Sequence, residues 1–183
     1  MASLREQVGK ERERLVKVRK ALSASLEQTT AHGPEYVPFY IAVAKYIEAS
    51  MARLHAQDER MAEMLPKKAP KMEAAVQEML KDVHERLEGS RTHLQALADA
   101  RKVLESKGAS AIGNFETVGR GYTDYIKTRM GHQARPSDLA RSLFSEDDWT
   151  YMAGATDEDI AREQRLFDQV FATVPSSLKD IAA

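Results

Sequence analysis

Apolar residues recur every three or four positions through most of the chain, which is the spacing of one face of an α-helix. Four long stretches carry this pattern, at residues 3–28, 36–65, 71–107 and 114–130. Gly89 falls in the middle of the third stretch, where a bend or a break is expected. Pro66 is expected to stop the second helix, and Asn114 to cap the fourth. The sequence therefore predicts four long helices joined by short loops.

Two shorter helices are predicted after the fourth. Ser145 and Asp148 have the spacing of a capping box that leads into Trp149, and residues 156–159 open a last helix that runs to about residue 174. The tail after Pro175 is expected to be loose. The predicted fold is all-α, an up-down-up-down four-helix bundle over residues 1–152, with a C-terminal helix and tail over residues 153–183 packed on the bundle.

Composition excludes several functions. The 183 residues include 27 basic and 28 acidic side chains, so a net charge of −1 favours neither nucleic acid nor a membrane surface as partner. The absence of cysteine excludes disulfides, thiolate catalysis and cysteine-bound metal clusters. No apolar run reaches the roughly 18 residues of a membrane span, and the first residues are polar. We expect a cytoplasmic protein.

Histidine and glutamate form two similar pairs on consecutive helices. His55 precedes Glu59 by four residues, and His84 precedes Glu88 by four. Residues four apart project from one helical face, and imidazole and carboxylate groups are ligands of iron, manganese and zinc. A helical bundle can gather such pairs onto one metal site. The alternative for each pair is a contact at the solvent edge of its helix.

Two further residues extend the candidate set. Glu11 lies inside the apolar stripe of the first helix, where an unpaired carboxylate is costly, unless that turn is frayed and exposed. His132 follows Gly131, and its alternative role is that of a cationic group at a helix C-terminus. Asp58 competes with Glu59 as the carboxylate of the second helix. His32 and His93 are expected at the surface.

Three segments of the chain resemble a known family. The segments are RLHAQDERMAEMLP at residues 53–66, DVHERLEG at residues 82–89 and LFSEDDWTYM at residues 143–152. In this order they resemble the bacterial hemerythrin-like domain, also called the HHE cation-binding domain. The similarity spans roughly residues 11–152.

The resemblance implies a four-helix bundle that holds non-haem iron and binds dioxygen, senses redox state or nitric oxide, or handles iron. It places His55, Glu59 and His84 at ligand positions. Glu11 stands where the family offers a histidine, Glu88 stands where a second histidine of the third helix is common, and His132 is displaced by one turn. Three arrangements fit these departures, namely a carboxylate-rich centre of two metal ions, a single metal, or a bundle without metal.

Two classes of function follow. The first is a metal-binding bundle with one or two iron ions held by Glu11, His55, Glu59, His84, Glu88 and His132, and with dioxygen or a related small ligand. The second is a metal-free interaction protein whose last helix, through Phe167 and Phe171, docks a partner or a second copy. An iron oxidase built on the same ligands is the weakest alternative, and no catalytic residue is assigned.

Overall fold

The computed structural model describes residues 4–28, 32–69, 71, 73–129 and 143–178, and within these ranges all regular structure is helical. The predicted all-α class is confirmed. The α-helices are α1 (Leu4–Glu27), α2 (Tyr36–Lys68), α3 (Glu73–Lys107), α4 (Ile112–Arg129), α5 (Glu146–Ala153) and α6 (Asp157–Ala172), with 3-10 turns at Gly108–Ala111 and Ser176–Leu178. None of the described helices combines the length and apolar character that a membrane crossing requires.

The long helices pack side by side, and the chain returns to its first helix. Contacts join α1 to α2, α2 to α3, α3 to α4, and α4 back to α1. The last helix, α6, lies on α2 and also touches α1, while α5 contacts the same two helices. The C-terminal helices therefore cover the side of the molecule formed by α1 and α2.

Buried apolar side chains form two clusters along the length of α2 and α3. The first is rich in aromatic rings from α2 and α4, and α3 adds its C-terminal half, with Leu97 and Leu104. The second joins the C-terminal half of α2 to the N-terminal half of α3 and to the region of α5, and its members are Met61, Met64, Leu65, Ala69, Val76, Val83, Leu87, Phe144 and Met152. Helix α3 thus spans both clusters.

Helix α3 is continuous through Gly89, so the expected bend or break does not occur. Tyr125 of α4 packs against this glycine, and a β-carbon there would lie 2.9 Å from a ring carbon of the tyrosine. The Tyr125 hydroxyl donates to the Arg86 carbonyl at 3.1 Å. Glycine is therefore required at this position because it allows α4 to approach α3 closely, and it does not interrupt the helix.

Two predicted helix boundaries are wrong. Helix α2 continues two residues past Pro66 to Lys68, because a proline in the last turn removes one backbone donor without preventing helical dihedral angles. Helix α4 begins at Ile112, so Asn114 lies inside it and is not its cap. The 3-10 turn begins at Gly108, whose φ is +58°, and it leads directly into α4.

The capping box predicted at Ser145 is present, and the structure shows a second one at Thr156. The Ser145 hydroxyl accepts from the Asp148 amide at 3.3 Å, and the Asp148 carboxylate accepts from the Ser145 amide at 2.9 Å. Thr156 and Asp159 make the same reciprocal pair at the start of α6. Each box satisfies backbone donors that the first turn of a helix leaves open. The starts of α5 and α6 are therefore determined by local sequence.

The apolar face of α6 packs on the rest of the chain. Phe167 lies edge-on to Tyr46 with ring centroids 5.9 Å apart, and Phe171 packs against the same core. This face is therefore partly buried within the chain, and its role as a docking surface stays a prediction. Leu178 is also buried, so the segment directly after Pro175 is docked rather than loose.

Candidate functional site

His55 is buried on α2, and its partner is a hydroxyl on the neighbouring helix. Its Nε2 lies 2.8 Å from the Oγ of Ser90, which is itself buried on α3. Burial lowers the pKa of His55, and the positive charge of Arg91 lowers it further. The ring is therefore neutral near pH 7, as a metal ligand must be. Its Nε2, however, is hydrogen-bonded to Ser90.

Three other candidate ligands line one groove on the surface between α2 and α3. They are Glu59, His84 and Glu88, and the groove also includes Arg91. All three are exposed to solvent. The Glu59 carboxylate pairs with the Arg91 guanidinium across the two helices. His84 therefore lies at the surface, whereas His55 faces the interior.

Glu11 is buried on α1, with only 4% of its surface exposed, so the alternative of a frayed and exposed turn is wrong. One of its oxygens lies 3.1 Å from the Arg53 guanidinium of α2. Burial raises the pKa of Glu11, and Arg53 opposes this shift. The cost of a carboxylate in the apolar stripe is thus offset in part by an arginine of the neighbouring helix.

His132, the remaining candidate, lies outside the described residues. Across the part of the chain that the structure describes, no group of three or more histidine, aspartate or glutamate side chains is placed to hold a metal ion. Asp58 is partly buried and burial raises its pKa, but it joins no such group. The predicted ligands that the structure describes therefore lie in three separate places. His55 is buried between α2 and α3, Glu11 lies at the α1–α2 contact, and the other three line the surface groove.

A partly buried arginine of α1 contacts both α2 and α4. The Nε of Arg19 donates to the Tyr122 hydroxyl at 3.0 Å, and its Nη2 lies 2.8 Å from the Met51 sulfur. Tyr122 and Met51 are both fully buried. The charge of Arg19 also contributes to the lowered pKa of His55. A partly buried guanidinium thus places a positive charge against two fully buried side chains of α2 and α4.

A second buried polar network was not expected from the sequence. His32 is buried rather than exposed, with a side chain 2% accessible, and its Nδ1 contacts the Glu116 carboxylate of α4. The Tyr40 hydroxyl donates to Glu116 at 3.1 Å, and the His32 ring stacks on Tyr36. The Tyr36 hydroxyl in turn forms a hydrogen bond with the Ser177 hydroxyl at 2.7 Å. This network ties the α1–α2 loop to α4 and to the C-terminal turn.

The sequence carried a weak signal for this network. Gln28, His32, Tyr36 and Tyr40 are spaced four apart across the α1–α2 loop. Each of the four takes part in the network. The spacing crosses a loop marked by Gly33 and Pro34, so helical periodicity could not be applied there. His93, also expected at the surface, is half-buried and stacks on Tyr125.

The contact between α6 and α1 also contains a buried charge. Glu163 is 3% exposed and accepts from the Nε of Arg14 at 3.0 Å and from the Tyr46 hydroxyl. Burial and the hydrogen bond to Glu163 raise the pKa of Tyr46. Glu163 lies three residues after Ile160 and before Leu166, inside the apolar stripe of α6. The reasoning that singled out Glu11 would therefore have found Glu163 as well.

The fold and these contacts define an all-α protein whose interior contains several charged side chains. Comparison with family models, with curated proteins and with solved structures finds no match to this chain.

Proposed function

We propose that the chain is a four-helix bundle of the hemerythrin-like type that works as an interaction protein without a metal ion in its interior. The closed ring of contacts through α1, α2, α3 and α4 supports this bundle arrangement. The capped α5 contains residues 146–152 of the LFSEDDWTYM segment, one of the three segments that carry the family resemblance.

One observation carries the metal-free part of the proposal. The Arg19 guanidinium is partly buried where α1 meets α2 and α4, it contacts the buried Tyr122 and Met51, and its charge contributes to the lowered pKa of His55. Other arginines pair with two of the candidate ligands, since Arg53 contacts Glu11 and Arg91 contacts Glu59. An iron ion near these groups would have to displace arginines and overcome their repulsion. Arginine side chains take the charge-balancing role that a metal has in a carboxylate-rich centre.

The proposal assigns the interaction surface to the outer faces of the helices. Phe167 and Phe171 are partly buried against the core, so less of the apolar face of α6 remains for a partner or a second copy. Among the described residues, the large apolar side chains that are exposed are Val16, Val103 and Tyr151. These positions lie on α1, α3 and α5, and they are the first to substitute in a test of self-association.

Metal analysis tests the proposal most directly. The purified chain is loaded anaerobically with Fe²⁺, desalted and measured for bound iron and for absorption with and without dioxygen. We expect well under one iron per chain and no absorption band that depends on dioxygen. Near-stoichiometric iron in the wild type that is lost in His55→Ala would overturn the proposal. Sedimentation of the wild type and of Tyr151→Ser in the same buffer reports whether the chain self-associates.

A further inference from the structure

His32 lies between α1 and α2, and both nitrogens of its ring meet oxygen atoms. Its Nδ1 contacts a carboxylate oxygen of Glu116 on α4, and its Nε2 lies 3.2 Å from the side-chain oxygen of Gln28. Carboxylate and amide oxygens accept hydrogen bonds and cannot donate them. A neutral imidazole donates from only one of its nitrogens, whereas the charged ring donates from both. The surroundings of His32 therefore match the protonated ring.

The orientation of the Gln28 amide follows from its other neighbours. Its Nε2 donates to the Ser177 carbonyl at 3.4 Å, and its Oε1 accepts from the Tyr36 hydroxyl at 2.6 Å. The Tyr36 hydroxyl has one proton, which goes to Gln28, so it accepts from the Ser177 hydroxyl at 2.7 Å. The bonds that point the Gln28 oxygen toward His32 are therefore the same bonds that join Gln28 to the C-terminal turn.

The Nδ1 of His32 belongs to a network with Glu116 and Tyr40. The Tyr40 hydroxyl donates to the same carboxylate oxygen at 3.1 Å and lies 2.9 Å from Nδ1. Burial raises the pKa of Tyr40, so this hydroxyl keeps its proton. Arg120 of α4 lies 3.9 Å from the other oxygen of Glu116. A bare Nδ1 would turn its lone pair toward the carboxylate, which is unfavourable, so this nitrogen carries a proton.

We propose that His32 is a proton switch that fastens the C-terminal turn, Ser176–Leu178, to the helices when its ring is charged and loosens the turn when its ring is neutral. On loss of a proton, the Glu116 carboxylate retains the one on Nδ1, and Nε2 releases its own to solvent. The lone pair of Nε2 then faces the Gln28 oxygen, and two acceptors repel each other. A half-turn of the Gln28 amide relieves this repulsion, but it points the amide oxygen at the Ser177 carbonyl.

The C-terminal turn covers part of the first apolar cluster. Leu178 is 1% exposed and belongs to this cluster, and its amide donates to the Pro175 carbonyl at 2.9 Å. A turn that has lost its bond from Gln28 opens more often and uncovers Leu178. Because the docked turn favours the charged ring, docking weakens as the pH rises through the range of about 5–8 in which histidines titrate. This switch goes beyond the proposed function and involves none of the candidate iron ligands.

NMR spectroscopy of the full chain between pH 5.5 and pH 9 tests the proposal. The nitrogen chemical shifts of the His32 ring report its charge, and hydrogen exchange of the Leu178 amide, corrected for the intrinsic effect of pH, reports opening of the turn. We expect a charged ring at pH 5.5 and a loss of Leu178 protection of about fivefold, the effect of one hydrogen bond, as the ring becomes neutral. A ring that is neutral at pH 5.5 or still charged at pH 9, or protection that stays constant while the ring titrates, overturns the proposal.

Variants separate the switch from its connection to the turn. In Gln28→Leu the His32 ring should still titrate, but Leu178 protection should be low at every pH. In His32→Gln protection should not depend on pH, whereas His84→Gln, which replaces an exposed histidine of α3, should behave as the wild type. A pH dependence that persists in both Gln28→Leu and His32→Gln overturns the proposal. If His32→Gln does not fold, Glu116→Gln, which removes the carboxylate charge, should loosen the turn at a lower pH than in the wild type.

Discussion

His55 shows how the neighbours of a residue determine its chemistry. Its position beside an apolar arc and its spacing to Glu59 are equally compatible with a metal ligand and with a buried histidine. The hydrogen bond to Ser90 and the nearby Arg91 favour a neutral ring that is already satisfied. Glu11 shows the same dependence, because Arg53 of another helix compensates its charge.

Acid should destabilise the protein through His55. Burial and Arg91 lower the pKa of His55 in the folded state below its usual value of 6.5. The unfolded chain therefore binds more protons, and the free energy of unfolding falls as the pH drops below about 6.5. Urea unfolding at pH 7.5 and pH 5.5 measures this loss. His55→Gln, which cannot titrate, should show a smaller loss over the same interval.

The comparison with the variant is needed because other groups act in the opposite direction. Burial raises the pKa values of Glu11 and Asp58, so these carboxyls bind protons more tightly in the folded state and favour folding as the pH falls. Only the difference between the wild type and His55→Gln reports on the histidine. Equal pH dependence in the two proteins would contradict the assignment.

Ser90→Ala should destabilise the protein by about 1–2 kcal/mol, because it leaves the Nε2 of a buried histidine without a partner. Thr92→Ala is the matched control on the same helix, since Thr92 is exposed and bonds only a carbonyl of its own helix. Urea unfolding at pH 7.5 provides both values. A loss for Ser90→Ala no larger than that of the control would show that the hydrogen bond contributes little.

At the scale of the elements, capping boxes define the starts of α5 and α6, whereas a lone polar residue, Asn114, misplaced the start of α4. The capping boxes at Ser145 and Thr156 act through atoms within three residues, so the sequence contains all the information they need. Gly89 has no such local explanation, since its reason is Tyr125 on a different helix. The prediction ended the second helix too early at Pro66, because the last turn of a helix tolerates the loss of one backbone N–H donor.

Two glycines inside helices should respond in opposite ways to alanine. Gly89→Ala should destabilise the protein by roughly 1–3 kcal/mol, because its β-carbon meets the Tyr125 ring. Gly121→Ala in α4 should stabilise it by up to about 1 kcal/mol, because nothing lies within 4 Å of the added carbon and alanine favours helix. Thermal unfolding of the two variants measures both effects. A stabilising Gly89→Ala would refute the role of Tyr125.

At the scale of the whole molecule, α6 belongs to the same packed structure as α1 and α2. Tyr46, Val170 and Leu178 share one core, although they lie in distant parts of the sequence. Glu163 adds a buried ion pair with Arg14 at the same contact. The predicted division at residue 152 therefore separates two parts of the sequence that pack together closely.

Removal of α6 should weaken the remaining helices. A chain that ends at Gly154 exposes the apolar surface that Phe167 and Val170 cover, and each of these side chains contributes about 1.5–3 kcal/mol when fully buried. We expect the midpoint of thermal unfolding, followed by circular dichroism, to fall markedly. An unchanged midpoint would show that α6 is an independent appendage.

The sequence by itself determined the all-α class, the approximate course of the long helices and the caps of α5 and α6, because these depend on periodicity and on neighbours within one turn. The tertiary structure decided which polar side chains meet. It paired Glu11 with Arg53, joined His55 to Ser90, placed Arg19 beside Tyr122 and buried His32 against Glu116. Each of these pairs joins residues at least 35 positions apart in the sequence, and periodicity within a helix cannot predict a contact between helices. The helices could therefore be predicted, whereas the chemistry of the interior depended on their packing.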